Sequence, residues 1–215
     1  MANVYESIAE LVGRTPLLEL KNYEKKHDLK TKILVKLEYF NPNQSIKDRI
    51  ALAMVEDAER SGELKKGDTI IELTSGNTGI GLAAIAAAKG YKFRVYIQDQ
   101  VSQERFQVIH ALGGETVKLS EVPEIVESIE KYGADFVECV KALEKAVSGE
   151  KNIWFADQTR NHANPDIHFR TTGPEIWQDT DGKVDILVAN VGTGGTISGT
   201  GNYLKSQNPN IKVGG

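Results

Sequence analysis

Short runs rich in β-branched and aromatic residues recur along the chain, each followed within a few residues by a segment of helical character. Residues 33–37, 69–73, 93–97, 115–119, 152–156 and 184–191 read as strands. Residues 45–60, 78–89, 102–112, a charged stretch ending at Val147, the segment around 174–178, and 196–207 read as helices. Strands separated by helix-length crossovers pair in parallel, so the alternation predicts an α/β fold whose sheets are covered on both faces. The 78–89 helix is apolar nearly all round, which predicts burial on every side. Three loops, 41–49, 74–79 and 192–196, each leave a strand and open a helix. In parallel α/β sheets such loops gather at the carboxyl edge, where ligands bind.

Composition narrows the ligand class. The 26 Lys and Arg residues stand against 30 Asp and Glu, a net charge of -4, so no sequence-wide field favours nucleic acid or an anionic membrane; small molecules are expected. No apolar run reaches the roughly 18 residues of a membrane span, and the first residues lack the layout of a signal peptide, so cytoplasm is the expected compartment. The single cysteine, Cys139, has no partner for an internal disulfide and no nearby histidine to activate it, which makes it a packing residue. Of the four histidines only His162 and His168 lie close in sequence, and their spacing suits neither a helical ligand pair nor a zinc cluster; no metal site is expected. The Glu-, Lys- and Val-rich stretch at 121–150 reads as a solvated amphipathic face.

Gly192, Thr193, Gly194, Gly195 and Thr196 follow an apolar strand and precede a helix. Glycines allow several N–H groups to turn toward one point, and the helix start adds partial positive charge, so the loop suits a phosphate. Lys205 lies too far along the helix, about 15 Å, to serve as the main counter-charge. The loop lacks the GK[ST] of a nucleotide-binding P-loop, and Ile197 interrupts a G-x-G-x-x-G pattern. A plain tight turn would also use these residues.

In NPNQSIKDR (41–49), Pro42 ends the preceding strand and Asn43 or Ser45 can cap the next helix, placing Lys47 in its first turn. Desolvation and the positive helix end both disfavour an ammonium there and favour a nucleophilic amine, the requirement for Schiff-base chemistry. Read alone, Lys47 could equally be a surface lysine. TSGNTG (74–79) offers Thr74, Ser75, Asn77 and Thr78 on a turn into an apolar helix; such hydroxyls, amide and N–H groups can hold a carboxylate without a cation, or simply cap a turn.

Taken together with LVGRTPL (11–17), NHANP (161–165), RTTGPEIW (170–177) and GTGGTISGTG (192–201), these segments resemble cysteine synthase of the cysteine synthase/cystathionine β-synthase family, type II pyridoxal-phosphate enzymes. The resemblance implies two parallel-type α/β domains: a larger one from 1–38 and 151–215 that binds the cofactor phosphate, incomplete at the C-terminus, and a smaller mobile one at 39–150. It implies pyridoxal 5'-phosphate held by Lys47 as an internal aldimine, by Asn77 at the ring hydroxyl and by residues 192–196 at the phosphate. It implies that Thr74, Ser75, Asn77, Thr78 and Gln158 grip the substrate α-carboxylate. The implied reaction is β-replacement on O-acetyl-L-serine by sulfide through an aminoacrylate, giving cysteine and acetate. The implied assembly is a homodimer with serine acetyltransferase as a possible partner.

Three positions depart from the common pattern: Leu73 where Pro is frequent, Thr159 where Phe follows the glutamine, and Arg14 where Asn precedes Thr-Pro. These bear on which activated serine is used. An O-phosphoserine enzyme would need a further cation, for which Arg105 and Arg160 are candidates. Cystathionine β-synthase-like chemistry with homocysteine is the other variant, and a non-catalytic binding homologue is the reading from a different class.

Overall fold

A computed structural model describes residues 4–215, which form two compact units: residues up to Ala53 together with His162–Gly215, and Met54–Asn161.

The first unit opens with a 3-10 turn, Ile8–Leu11, capped by the Ser7 hydroxyl. Strands β1 (Leu17–Glu19) and β2 (Leu34–Lys36) flank helix α1 (Lys21–Lys26) and pair antiparallel, Leu17 opposite Lys36. Neither the pairing nor α1 follows from the alternation rule, because β1 is only three residues long and exposes Leu18. Helix α2 (Lys47–Ser61) follows; residues 47–53 belong to this unit and 54–61 to the other.

In the second unit, β3 (Thr69–Leu73), helix α3 (Asn77–Lys89), β4 (Lys92–Ile97), helix α4 (Gln103–Ala111) and β5 (Glu115–Lys118) succeed one another as the alternation predicts. The charged stretch is not one helix. It divides into α5 (Pro123–Tyr132) and α6 (Phe136–Val147), since Gly133 takes φ +74° and the Asp135 side chain accepts the Glu138 N–H to start a new helix. Strand β6 (Ile153–Phe155) then returns to pair with β3. The sheet order is β5-β4-β3-β6, all parallel, so strand order reverses beside β3. Helix α3 buries residues on all sides, as its composition predicts. Cys139 sits in the core with Ile71, Leu73, Ile125 and Leu143, where it packs as an apolar residue.

The chain then re-enters the first unit through α7 (Ala163–Ile167), a π-helical turn (His168–Thr172) and α8 (Gly173–Asp179). Strand β7 (Ile186–Val188), helix α9 (Gly195–Gln207) and β8 (Lys212–Gly214) complete it, with β7 and β8 parallel. The expected strand at 184–191 is present as the three residues Ile186–Val188, which pair with β8. Helix α9 lies over Leu187 and Val213, while Ile186 and Val188 on the opposite face stay exposed, so this small sheet is covered on one face only.

Helices α7 and α9 approach at Gly199, where a Cβ would lie 2.0 Å from the Pro165 carbonyl oxygen and 2.8 Å from the His168 Cβ. Backbone cannot yield as a side chain can. Gly199→Ala should therefore cost about 1–3 kcal/mol or more, read as a lower denaturant midpoint at unchanged slope. Gly201→Ala, which would meet side-chain methyl groups of Val213 at 3.3–3.4 Å and of Leu187 at 3.9 Å, should cost less.

Candidate functional site

Lys47 is the first residue of α2 and is half-buried. Of the two candidate caps it is Ser45 whose hydroxyl accepts the Lys47 N–H, at 3.1 Å, while buried Asp48 reaches back to the Asn43 N–H at 2.6 Å. Burial lowers the Lys47 pKa, and among the described residues no carboxylate pairs with its Nζ. A lysine without an ion-pair partner and short of water gives up its proton more readily.

Two residues further along α2, the Arg49 guanidinium is fully buried. It meets Glu38 at 2.8 Å and 2.9 Å, Glu175 at 2.7 Å twice, and the hydroxyls of Thr171 and Thr15. Lys36 Nζ adds a contact to Glu175 at 2.8 Å. Burial pushes the Glu175 carboxyl up, but bonds from Arg49 and Lys36 outweigh it and hold the pKa at about 2. The cluster fixes the helix turn that carries Lys47.

The glycine loop lies in the same unit. Gly194 has φ +81°, a conformation glycine adopts without strain, and it starts α9. No atom lies within 4 Å of a Cβ built on Gly192, so that side of the loop is open. Beneath it are Asn164, whose Nδ2 donates to Thr193 Oγ1 at 3.0 Å, and His168, whose Nε2 lies 3.3 Å from Thr196 Oγ1. Burial, reinforced by the charges of Arg49 and Lys47, lowers the His168 pKa to about 4. The same unit thus brings Lys47 and the loop's supports into one electrostatic neighbourhood.

In the second unit, the loop after β3 and the end of β6 flank the point where strand order reverses, the place where open α/β sheets bind ligands. Ser75 Oγ accepts the Gln98 N–H at 3.4 Å, and Thr74 Oγ1 accepts the Gly76 N–H at 3.3 Å. Asn77 begins α3 and is exposed. The Thr78 hydroxyl donates to Gln158 Oε1 at 2.6 Å, which fixes the orientation of that amide. Below them Glu72, fully buried, accepts the Leu73 N–H at 3.1 Å and the Gln158 N–H at 3.2 Å. Burial raises its pKa to about 8 against those two donors. Thr74, Ser75, Thr78 and Gln158 thus share one edge of one sheet. Of the two candidate cations, Arg105 bonds the Ser75 carbonyl, whereas Arg160 is held by Asp157 and Glu144.

Asn164, His168 and Glu72 are absent from the sequence-predicted set. Asn164, His168 and Thr172 recur every four residues and are all buried, but polar residues at that spacing give no sign of burial in the sequence. Glu72 carried no signal, because a carboxylate inside a core strand breaks the apolar pattern without saying why.

Among the described residues, no three His, Cys, Asp or Glu side chains gather as a metal site, and no helix is long and apolar enough to cross a membrane. The open, hydroxyl-bearing glycine loop and the desolvated amine fit a cofactor that bears a phosphate and a carbonyl group. Comparison with known proteins points the same way. The chain is 44% identical over 209 residues to a cysteine synthase of Staphylococcus aureus (strain N315), covering 97% of this chain and 63% of that protein. It is 43% identical over 211 residues to cystathionine beta-synthase of Rattus norvegicus, covering 98% of this chain and 36% of that protein. Among solved structures, a hydrogen sulfide-producing enzyme from Fusobacterium nucleatum superposes with a TM-score of 0.85 at 40% identity, over 99% of this chain and 65% of that one. The chain thus spans less than two thirds of the length of these relatives. The family model for "Pyridoxal-phosphate dependent enzyme" matches residues 8–215, and the chain belongs to that family, with its type II α/β fold.

Proposed function

We propose that the protein catalyses β-replacement on an activated L-serine, with O-acetyl-L-serine and sulfide giving L-cysteine and acetate. The observation that carries this reading is Lys47: a half-buried amine with a lowered pKa, without a carboxylate partner among the described residues, held by a buried arginine cluster two residues away. Pyridoxal phosphate would be held by Lys47 through a carbon–nitrogen bond, by Asn77 at the ring hydroxyl, and by Gly192, Thr193, Gly194, Gly195 and Thr196 at the phosphate. Bound there, it supplies an electron sink for the bond-breaking at the substrate Cα. Lys47 Nζ would take the substrate α-proton, which requires the amine to be unprotonated at that moment. Thr74, Ser75, Asn77 and Thr78, with Gln158 oriented by Thr78, bind the α-carboxylate, so that the substrate Cβ and its leaving group have one fixed direction. The homodimer and the serine acetyltransferase partner implied by the resemblance, and the cytoplasmic compartment expected from the sequence, belong to the same proposal.

One observation favours a second donor. Arg105 reaches the Ser75 carbonyl, placing a guanidinium on the loop that would grip the substrate, where a phosphate leaving group would be stabilised. Steady-state kcat/KM for O-acetylserine and O-phosphoserine, each with sulfide, separates the two. We expect O-acetylserine to be preferred by at least about tenfold, a difference of about 1.4 kcal/mol in the transition state. Preference for O-phosphoserine, lost on Arg105→Ala, would replace the proposed donor.

A further inference from the structure

Thr193 and Thr196 offer hydroxyls at the two ends of the loop that would bind the cofactor phosphate. A hydroxyl has one hydrogen to donate and two lone pairs to accept with, and nothing in the loop itself decides which it presents to a ligand. The side chains below decide it. Thr193 Oγ1 accepts from Asn164 Nδ2 at 3.0 Å and from the Gly195 N–H at 3.4 Å, so both lone pairs are engaged and its hydrogen is left to donate. Asn164 is 2% exposed, and its Oδ1 lies 1.9 Å from where a Cβ on Gly195 would stand, so only glycine at 195 lets the amide reach the loop.

One helical turn on, His168 is 1% exposed, with Nδ1 at 2.9 Å from Thr172 Oγ1 and Nε2 at 3.3 Å from Thr196 Oγ1. The ring stays neutral at ordinary pH because burial depresses its pKa, so it has one N–H. With the hydrogen on Nε2, the ring accepts from Thr172 and donates to Thr196, and the Thr196 hydrogen is also turned outward. The other tautomer would consume it.

We propose that Asn164 and His168 are positioning residues that commit the Thr193 and Thr196 hydroxyls to donate outward, making the 192–196 loop selective for a phosphate dianion. The inference rests on the assignment of that loop to the cofactor phosphate. The two residues touch neither substrate nor cofactor in this account and act through the threonines alone.

The test compares the dissociation constants of pyridoxal phosphate and of pyridoxal, which has the same carbonyl group and lacks the phosphate. Wild-type protein should bind pyridoxal phosphate at least a hundredfold more tightly. Asn164→Asp keeps shape but cannot donate, so the Thr193 hydrogen would turn inward. Pyridoxal phosphate affinity should fall about tenfold or more, as expected for one hydrogen bond to a charged group, with pyridoxal unchanged within about twofold. Combining Asn164→Asp with Thr193→Val should add little to either single loss. Equal weakening of both ligands, or fully additive losses in the double variant, would overturn the inference and show a structural role only. An undiminished preference in Asn164→Asp would overturn it while leaving the loop assignment standing. A wild-type protein with no preference would remove the loop assignment itself. Should Asn164→Asp fail to fold, His168→Gln against His168→Leu reads the same coupling at Thr196. Glutamine restores a donor and should keep the preference within about threefold, leucine should lose about tenfold, and equal losses would overturn the proposal.

Discussion

Lys47→Ala is expected to lower turnover by at least about 10²–10⁴-fold, the contribution of a positioned proton-transfer group alone, and to abolish the absorption band expected at the violet edge of the visible range for the cofactor-loaded protein. The loss should be in kcat, with folding cooperativity intact, because Lys47 is half-buried and has no ion pair among the described residues to break. A variant that keeps its colour and most of its turnover would mean that another amine holds the cofactor. Added methylamine should restore part of the proton transfer, a result that a merely unfolded variant would not give.

Arg49→Ala is the substitution with the largest expected effect on stability. Its guanidinium joins four separated stretches: Thr15, Glu38, the start of α2, and Thr171 with Glu175. Removing one partner of a buried ionic cluster leaves charges without compensation and typically costs about 3–5 kcal/mol. Among the described residues, Glu175 would keep an ion pair with Lys36, while Glu38 would lose the one it makes with Arg49. The pH dependence adds a second readout. A carboxyl that binds its proton less readily folded than unfolded contributes stability that is complete above its unfolded pKa, about 4.3 for Glu. For Glu175 that contribution is lost as pH falls toward about 2. Wild-type stability should therefore decline through this acid window, and the Arg49→Ala protein, already without the interaction, should show a shallower decline there. Unchanged stability in Arg49→Ala, measured by denaturant titration at neutral pH, would contradict the role given to the cluster.

Much of this architecture could be read from residue pattern. Strands 69–73 and 93–97 and the helix at 78–89 appear within a residue or so of their expected bounds, because largely buried parallel strands and a buried helix leave predominantly apolar runs. Strand β2 lies inside the expected 33–37 run, but β1 and its antiparallel pairing with β2 did not show, since a three-residue strand with an exposed central side chain carries no usable period. The division of α5 from α6 was available in Gly133 but was masked by charge continuous across it.

The candidate site was legible in its loops and not in its supports. Glycines and small hydroxyl residues announce a turn that faces a ligand. The partners that orient them lie far off in sequence, as Asn164 does from Thr193 and Gln158 does from Thr78. Arg49 shows the same limit: its ion pair with Glu175 joins residues 126 positions apart, a pairing that no local pattern encodes. Yet the motif blocks around Thr15, Arg49 and Thr171, each unremarkable alone, converge on that one guanidinium, which gives a physical reason for their occurring together.

The most direct measurement is reduction of the purified, cofactor-loaded protein with borohydride followed by peptide mapping. A pyridoxyl adduct on Lys47, formed in the untreated protein and lost when O-acetylserine is added before reduction, is the predicted result. An adduct on any other lysine would contradict the account.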